Sequence, residues 1–301
     1  MPAKTTVNIG GVEVRLSNLD KVLYPATGFT KARVLDYYVR IAPALIPHLA
    51  DRPVTFKRYP DGVEGKFFYQ KECPEYRPEW VLTAPVWSES NDRNINFCLL
   101  NDLPSLVWAV NLAAIELHTS LSLARDPLTP TMLIFDLDPG PPAGIIECSE
   151  VALLLRRLLE HADLKCFPKT SGSKGLQIYV PLNLPTSYEE TKSFAKACAE
   201  MLESRRPDLV VSRMTKSLRT GKVFIDWSQN DDHKTTVCVY SLRAKERPTV
   251  STPVTWREVE SAFSKGEPDL LTFEAEEIVR RFEEFGDLFA PVLTLKQELY
   301  R

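Results

Sequence analysis

From residue 131 onward the sequence alternates short apolar runs with amphipathic helical stretches, and this alternation constrains the fold more than any other feature. The runs TMLIFDLD, LKCFPK, LQIYVPL, LVVSR and KVFIDW have the length and the β-branched or aromatic content of strands. Between them, SEVALLLRRLLEHA and SYEETKSFAKACAEMLESR carry helical periodicity, and Ser187 with Glu190 forms a capping-box pattern at the start of the second. Strands interleaved with helices at this spacing predict a sheet with helices packed on one face. Earlier in the chain, VEVRL reads as a strand and TKARVLDYYVRIAPALIPHL as an amphipathic helix opened by Thr30. LPSLVWAVNLAAIELHTSL reads as a second, mostly buried helix, and the stretch from EAEEIVRRFEEF onward as helical and structural. A mixed α+β fold is expected.

With 301 residues, 44% of them hydrophobic, the chain can bury one large core or the cores of two intimate lobes. No stretch has the order of a signal peptide, and no apolar run approaches the roughly 20 residues of a membrane span, so a soluble intracellular protein is expected. Cys73, Cys98, Cys148, Cys166, Cys198 and Cys238 include no C-x-x-C pair. That spacing argues against a zinc site or a disulfide framework, and the six are read as reduced core thiols. A net charge of -3 excludes a protein that coats nucleic acid indiscriminately, though it leaves room for local basic patches.

The strand TMLIFDLD ends in two carboxylates. Side chains alternate along a strand, so Asp136 and Asp138 share a face while Leu137 points the other way. Like charges held that close raise the cost of ionising both, and a divalent cation between them removes it. KVFIDWSQN repeats the arrangement, with Val223, Phe224 and Ile225 leading to Asp226. Three strand-end aspartates suit a two-cation site of the kind that clamps attacking and leaving oxygens in phosphoryl transfer.

Other stretches suit polyanions. TSGSKGLQ offers Ser171, Gly172, Ser173 and Lys174: backbone N–H groups, hydroxyls and an ammonium for phosphates, without being a Walker or dinucleotide fingerprint. In the following strand, alternation lets Gln177 face a nucleotide. SRMTKSLRTGK carries Arg213, Lys216, Arg219 and Lys222 with no acid among them and runs directly into Asp226. Lys57, Arg58, Lys66 and Lys71 are interleaved with Phe67, Phe68 and Tyr69 in TFKRYPDGVEGKFFYQK. Cations that neutralise phosphate, mixed with rings that stack on bases, suit nucleic acid.

Taken together, LIFDLDPG, TSGSKGL, TKSLRTGKVFIDWSQN, KTTV, YSLRAK and NLDKVLYPATGFTK, in this set of motifs across residues 10–300, resemble the polymerase domain of prokaryotic end-joining ligase D. That domain belongs to the archaeo-eukaryotic primase-polymerase superfamily. The resemblance implies one catalytic domain over residues 1–301, with an N-terminal α/β lobe to about 130, an RRM-like lobe bearing the metal site over about 131–245, and a helical tail over about 255–301. It makes Asp136, Asp138 and Asp226 the ligands of two Mn2+ or Mg2+ ions. It gives the triphosphate to Ser171 and its loop, and the nucleotide pocket to Lys57, Arg58, His118 and Arg243. Lys21 and Lys31 would grip a 5′-phosphate across a gap, Phe67 and Phe68 would stack on template bases, and Lys216 and Arg219 would sit in a mobile basic loop. Where the family pattern ends in SGSKGLH, this chain has Gln177.

The activity implied is template-dependent nucleotidyl transfer in double-strand break repair by non-homologous end joining. Its substrates would be DNA with gaps or 3′-overhangs and NTPs or dNTPs, ribonucleotides preferred. Ku and a DNA ligase would be partners, and the cytoplasmic nucleoid the location. The alternatives are a primase that starts chains without a primer and a non-catalytic end-binding module.

Overall fold

The computed structural model describes residues 4–299. Two compact units alternate along the chain. The first comprises Met1–Arg125, Thr235–Val250 and Glu274–Gly286; the second comprises Asp126–Lys234, Ser251–Phe273 and Asp287–Arg301. Residues 235–250 and 274–286 thus return to the N-terminal unit, which no local pattern in the sequence announces.

In the first unit, β1 (Lys4–Ile9) and β2 (Val12–Ser17) form a hairpin, and β3 (Val22–Tyr24) pairs with β4 (Phe29–Thr30). Helix α1 (Lys31–Leu49) begins where the Thr30 hydroxyl accepts the Arg33 N–H, as the sequence predicts. It buries Val34, Tyr38, Ile41 and Leu45 at three- and four-residue spacing. The main sheet contains β5 (Val54–Arg58), β6 (Phe68–Gln70), β7 (Thr83–Ser88) and β8 (Arg93–Cys98). After α2 (Leu103–Asn111) comes β9 (Ala114–Thr119), which lies between β5 and the edge strand Thr236–Val237. Helix α1 packs on α2 and on the helix Ala275–Phe285.

Two expectations are corrected here. The stretch 103–121 is not one helix: α2 stops at Asn111, Ala113 turns the chain with a φ of 60°, and His118 stands on β9. Its apolar residues suit either geometry, and pairing with strands on both sides decides for a strand, which local propensity cannot register. Nor are all six cysteines thiols. The Cys73 N–H bonds to the Asn96 carbonyl at 2.7 Å, which brings the loop beside β8, and Cys73 and Cys98 form a disulfide. Cys148, Cys166, Cys198 and Cys238 are free and buried.

In the second unit, β11 follows the short β10 (Ser122–Leu123) of the first and spans Asp126–Pro130. The central strand β12 (Met132–Pro139) has β14 (Leu176–Pro181) on one side and β16 (Val223–Asp226) on the other. Beyond them lie β13 (Phe167–Thr170) and β15 (Val210–Val211), and every pairing is antiparallel except that of β15 with β16. Helices α3 (Ile145–His161) and α4 (Tyr188–Arg205) pack against β12, where Leu133, Phe135 and Leu137 are fully buried, and α5 (Trp256–Lys265) packs on α3. The capping box of Ser187 and Glu190 forms as expected. Asn230 ties the turn after β16 to β12, accepting the Ile134 N–H at 2.9 Å and donating to its carbonyl at 2.7 Å. Among the described residues no helix is long and apolar enough to cross a membrane.

Two glycines let backbones meet. A Cβ on Gly175 would lie 2.0 Å from the Leu137 carbonyl oxygen, and one on Gly140 would lie 2.0 Å from that of Arg219. At Gly144 a Cβ would meet only the Glu147 carboxylate at 3.8 Å. Gly175→Ala should therefore destabilise by about 2 kcal/mol or more and lower Tm by about 5 °C. Gly144→Ala should stay within about 1 kcal/mol of the wild type. Thermal unfolding of both variants checks the contrast, and equal Tm values would contradict it.

Candidate active site

Strand register assembles the acids. Asp136 lies directly opposite Asp226 on β16, Gln177 on β14 lies opposite Asp136, and Lys169 on β13 lies opposite Gln177. Opposed residues share a sheet face, so these four form one polar row across four strands, with Asp138 on the same face two residues beyond Asp136. Lys169 is wholly buried and Gln177 is 3% exposed. The Lys169 ammonium donates to Gln177 Oε1 at 2.5 Å and to the Ser251 hydroxyl at 2.6 Å, and Gln177 Nε2 donates to Asp136 Oδ1 at 3.1 Å. At the other end, Asp226 accepts from the Ser228 N–H at 3.0 Å, the Ser228 hydroxyl at 2.5 Å and Gln229 at 3.2 Å. Gln177 therefore faces Asp136, where a nucleotide contact was expected.

Burial, and then the neighbouring Asp138 charge, push the Asp136 carboxyl up to about 7; Asp226 adds to this, while Gln177 and Lys169 oppose it. A set of oxygen ligands that is costly to ionise together fits hard divalent cations. The three carboxylates do not all lie within 4.8 Å of one another; the described residues that cluster so tightly are Asp231, Asp232 and His233, where Lys192 already pairs with Asp231 at 2.6 Å.

The Gly/Ser/Lys loop adjoins this row because Gly175 presses on the Leu137 carbonyl, between the two β12 aspartates. The Ser171 hydroxyl accepts the N–H groups of Ser173 and Gly175, both at 3.2 Å, which shapes the loop from within. Ser173 and Lys174 are exposed. In the basic run Lys216 is exposed, while the Arg219 guanidinium lies 3.7 Å from the centre of the Phe224 ring and donates to the Met214 carbonyl at 2.8 Å. The Gly221 N–H bonds to the Gly140 carbonyl at 3.0 Å, holding this run to the turn that follows Asp138.

The first unit carries the complementary polarity. Glu116 on β9, 1% exposed, faces His118 at 2.9 Å, Arg243 at 3.3 Å and Lys57 at 3.5 Å, and accepts the Ala244 N–H at 3.1 Å. Burial raises its pKa, but the His118 hydrogen bond and the Arg243 and Lys57 charges outweigh this and hold the carboxyl well below its usual range. Burial also pushes the His118 imidazole down, and its hydrogen bond to Glu116 opposes this. Sequence reasoning found the three bases and missed the acid that gathers them. Its only signal was a charge flanked by apolar neighbours in AIELHT.

On the adjoining hairpin, β5 and β6 set Arg58 opposite Phe68 and Lys57 opposite Tyr69. Lys57 lies 4.4 Å from the Phe67 ring centre and Arg58 5.1 Å from that of Phe68. Both rings are exposed, at 50% and 44%, and are not core residues. Lys21 pairs with Asp61 at 2.9 Å, and buried Lys31 donates to the Ser17 carbonyl at 2.6 Å.

An acid row across a sheet, beside a Gly/Ser/Lys loop, fits the chemistry of a nucleotidyltransferase, and comparison with known proteins gives the family. The family model for the LigD primase-polymerase domain matches residues 30–289. The multifunctional non-homologous end joining protein LigD of Mycolicibacterium smegmatis is 42% identical over 281 residues, covering 93% of this chain and 36% of that protein. The bifunctional non-homologous end joining protein LigD of Bacillus subtilis is 30% identical over 275 residues, covering 91% of this chain and 43% of that protein. Among solved structures, the polymerase domain of Mycobacterium tuberculosis ligase D in complex with DNA matches with a TM-score of 0.86 and 39% identity, over 93% of this chain and 98% of that one. The chain belongs to the LigD primase-polymerase domain family and spans 36% and 43% of the length of these two relatives.

The Glu116 cluster generates a test of charge balance. Because the folded carboxyl titrates below its ordinary 4.5, its stabilisation is present above that pH and is lost as pH falls toward the folded value. Glu116→Gln should cost about 3 kcal/mol at pH 7, and the gap from the wild type should narrow below pH 4.5. Denaturant unfolding from pH 7 to 3 measures this, and a gap that widened in acid would contradict it.

Proposed function

We propose that this chain is the polymerase of a non-homologous end-joining system, filling short gaps and extending 3′ ends on a template, with ribonucleotides preferred. The alignment of Asp136 with Asp226, with Asp138 on the same face and the 171–175 loop alongside, supports this reading most directly. These carboxylates would hold two divalent ions, Mn2+ or Mg2+, which when bound would activate a primer 3′-hydroxyl and neutralise the departing pyrophosphate. The attacking group is the primer 3′-hydroxyl, so no protein nucleophile is needed. Ser171, Gly172, Ser173 and Lys174 offer hydroxyl, N–H and ammonium donors to a triphosphate. Lys57, Arg58, His118 and Arg243 are assigned to nucleotide binding, and the exposed rings of Phe67 and Phe68 to stacking on template bases. Lys216 and Arg219 belong to a basic loop that shifts on substrate binding. Gln177 is left out of the phosphate contacts because its amide is committed within the sheet.

The names of the relatives support an end-joining role, in which Ku and a DNA ligase would be partners and the nucleoid the site of action. The deciding experiment is metal-dependent incorporation of labelled nucleotides on gapped DNA, with NTPs and dNTPs compared. No incorporation with either set would leave only end binding.

Asp138→Ala and Asp226→Ala should each lower turnover by about 100-fold or more while DNA binding, carried by phosphate contacts, is largely kept. Turnover close to wild type in Asp226→Ala would remove it from the triad.

Lys31 makes the 5′-phosphate assignment pH-sensitive. Burial, then the Lys21 and Arg58 charges, lower it to about 8. Its ammonium is therefore charged below that pH and lost above it. Preference for 5′-phosphorylated over hydroxyl-ended gaps should hold at pH 7, shrink as pH rises through 8 and weaken with salt. Equilibrium binding to both gaps from pH 6.5 to 9 tests this, and equal affinity for the two gaps at pH 7 would refute the assignment.

A further inference from the structure

Lys169 brings a positive charge into the interior of the second unit, and a buried ammonium must be hydrogen-bonded and balanced by negative charge. Two of its acceptors, Gln177 Oε1 at 2.5 Å and Ser251 Oγ at 2.6 Å, are neutral. Along the row, the nearest carboxylate is that of Asp136, reached through Gln177 at 3.1 Å. An ammonium can only donate, so the orientation of the Gln177 amide is dictated: oxygen toward Lys169, NH2 toward Asp136. With Lys169 fully buried and Gln177 nearly so, neither side chain has room to turn away. One Asp136 oxygen, Oδ1, is thereby tied within the sheet to Gln177.

We propose that Lys169 and Gln177 are a positioning pair that fixes the Asp136 carboxylate for divalent-cation binding. The proposal rests on the assignment of Asp136, Asp138 and Asp226 as cation ligands. Chemistry at position 177 is then restricted to groups that accept on one side and donate on the other. A neutral imidazole meets this condition, with one ring nitrogen accepting from Lys169 and the other donating to Asp136. On this account the histidine of the related SGSKGLH pattern and Gln177 are interchangeable in this task, and leucine is not.

The test measures Mn2+ binding directly, by titration calorimetry and by the electron paramagnetic resonance signal of free Mn2+, on the full chain without DNA or nucleotide. Thermal unfolding is recorded in parallel. Gln177→Leu should bind Mn2+ about 10- to 100-fold more weakly, the usual loss when a hydrogen-bonding support of a metal ligand is removed. Gln177→His should restore binding to near the wild-type level. Lys169→Met should resemble Gln177→Leu, and if it fails to fold, the two Gln177 variants still decide the matter. Wild-type affinity in Gln177→Leu overturns the proposal, as does a Gln177→His variant that folds but binds as weakly as Gln177→Leu. Asp226→Ala separates the two levels of inference. If it binds Mn2+ as well as the wild type, the ligand assignment itself fails; if it loses binding while Gln177→Leu does not, only the positioning pair fails.

Discussion

A wholly buried ammonium standing in line with carboxylates is the constraint on which the second unit turns. Its charge can be tolerated only if the strands hold their register, because a slip of one residue would carry Lys169, Gln177 and Asp136 to the face occupied by α3 and α4. That register is enforced from the opposite face, where Leu133, Phe135, Leu137, Ile178 and Ile225 are fully buried. Apolar packing on one side thus sets the spacing of polar groups on the other. The same coupling reaches the loop at 171–175, whose approach to Leu137 depends on the missing side chain at Gly175.

The first unit solves the inverse problem. There one acid, Glu116, gathers Lys57, His118 and Arg243, whereas the second unit gathers acids near one base. In both, the cluster draws on neighbouring strands of a sheet, and the group at its centre, Glu116 in one and Gln177 in the other, makes more than one bond. Local charge is left in excess in each case, positive around Glu116 and negative around Asp136, which is how a protein of slight net charge can offer strong fields to phosphates and to cations.

Much of this was legible because periodicity is local. The alternation in TMLIFDLD put Asp136 and Asp138 on one face, and the like ending of KVFIDW drew attention to Asp226. Their direct opposition was not legible, since it depends on which strands pair and in what register. Lys169 and Glu116 escaped notice because a single charge in a short strand looks like a surface position; only the elements packed over them make them internal. The alternation gave Gln177 a face but no partner, and its partner turned out to be protein. His118 was read on a helix because AIELHT is apolar enough for either geometry, and the disulfide joins positions related only through the β8 ladder.

The interleaving of the two units has a consequence for the order in which they can be completed during synthesis. Glu116 is made early, but Arg243 lies in the segment Thr235–Val250, and the helix Ala275–Phe285 that covers α1 comes later still. Until those segments leave the ribosome, the first unit has an acid without its full set of bases and a long helix with part of its apolar surface uncovered. The usual sequence, in which an N-terminal domain folds before its successor is translated, is closed to this chain. Both units can be completed only once nearly all of it has been made.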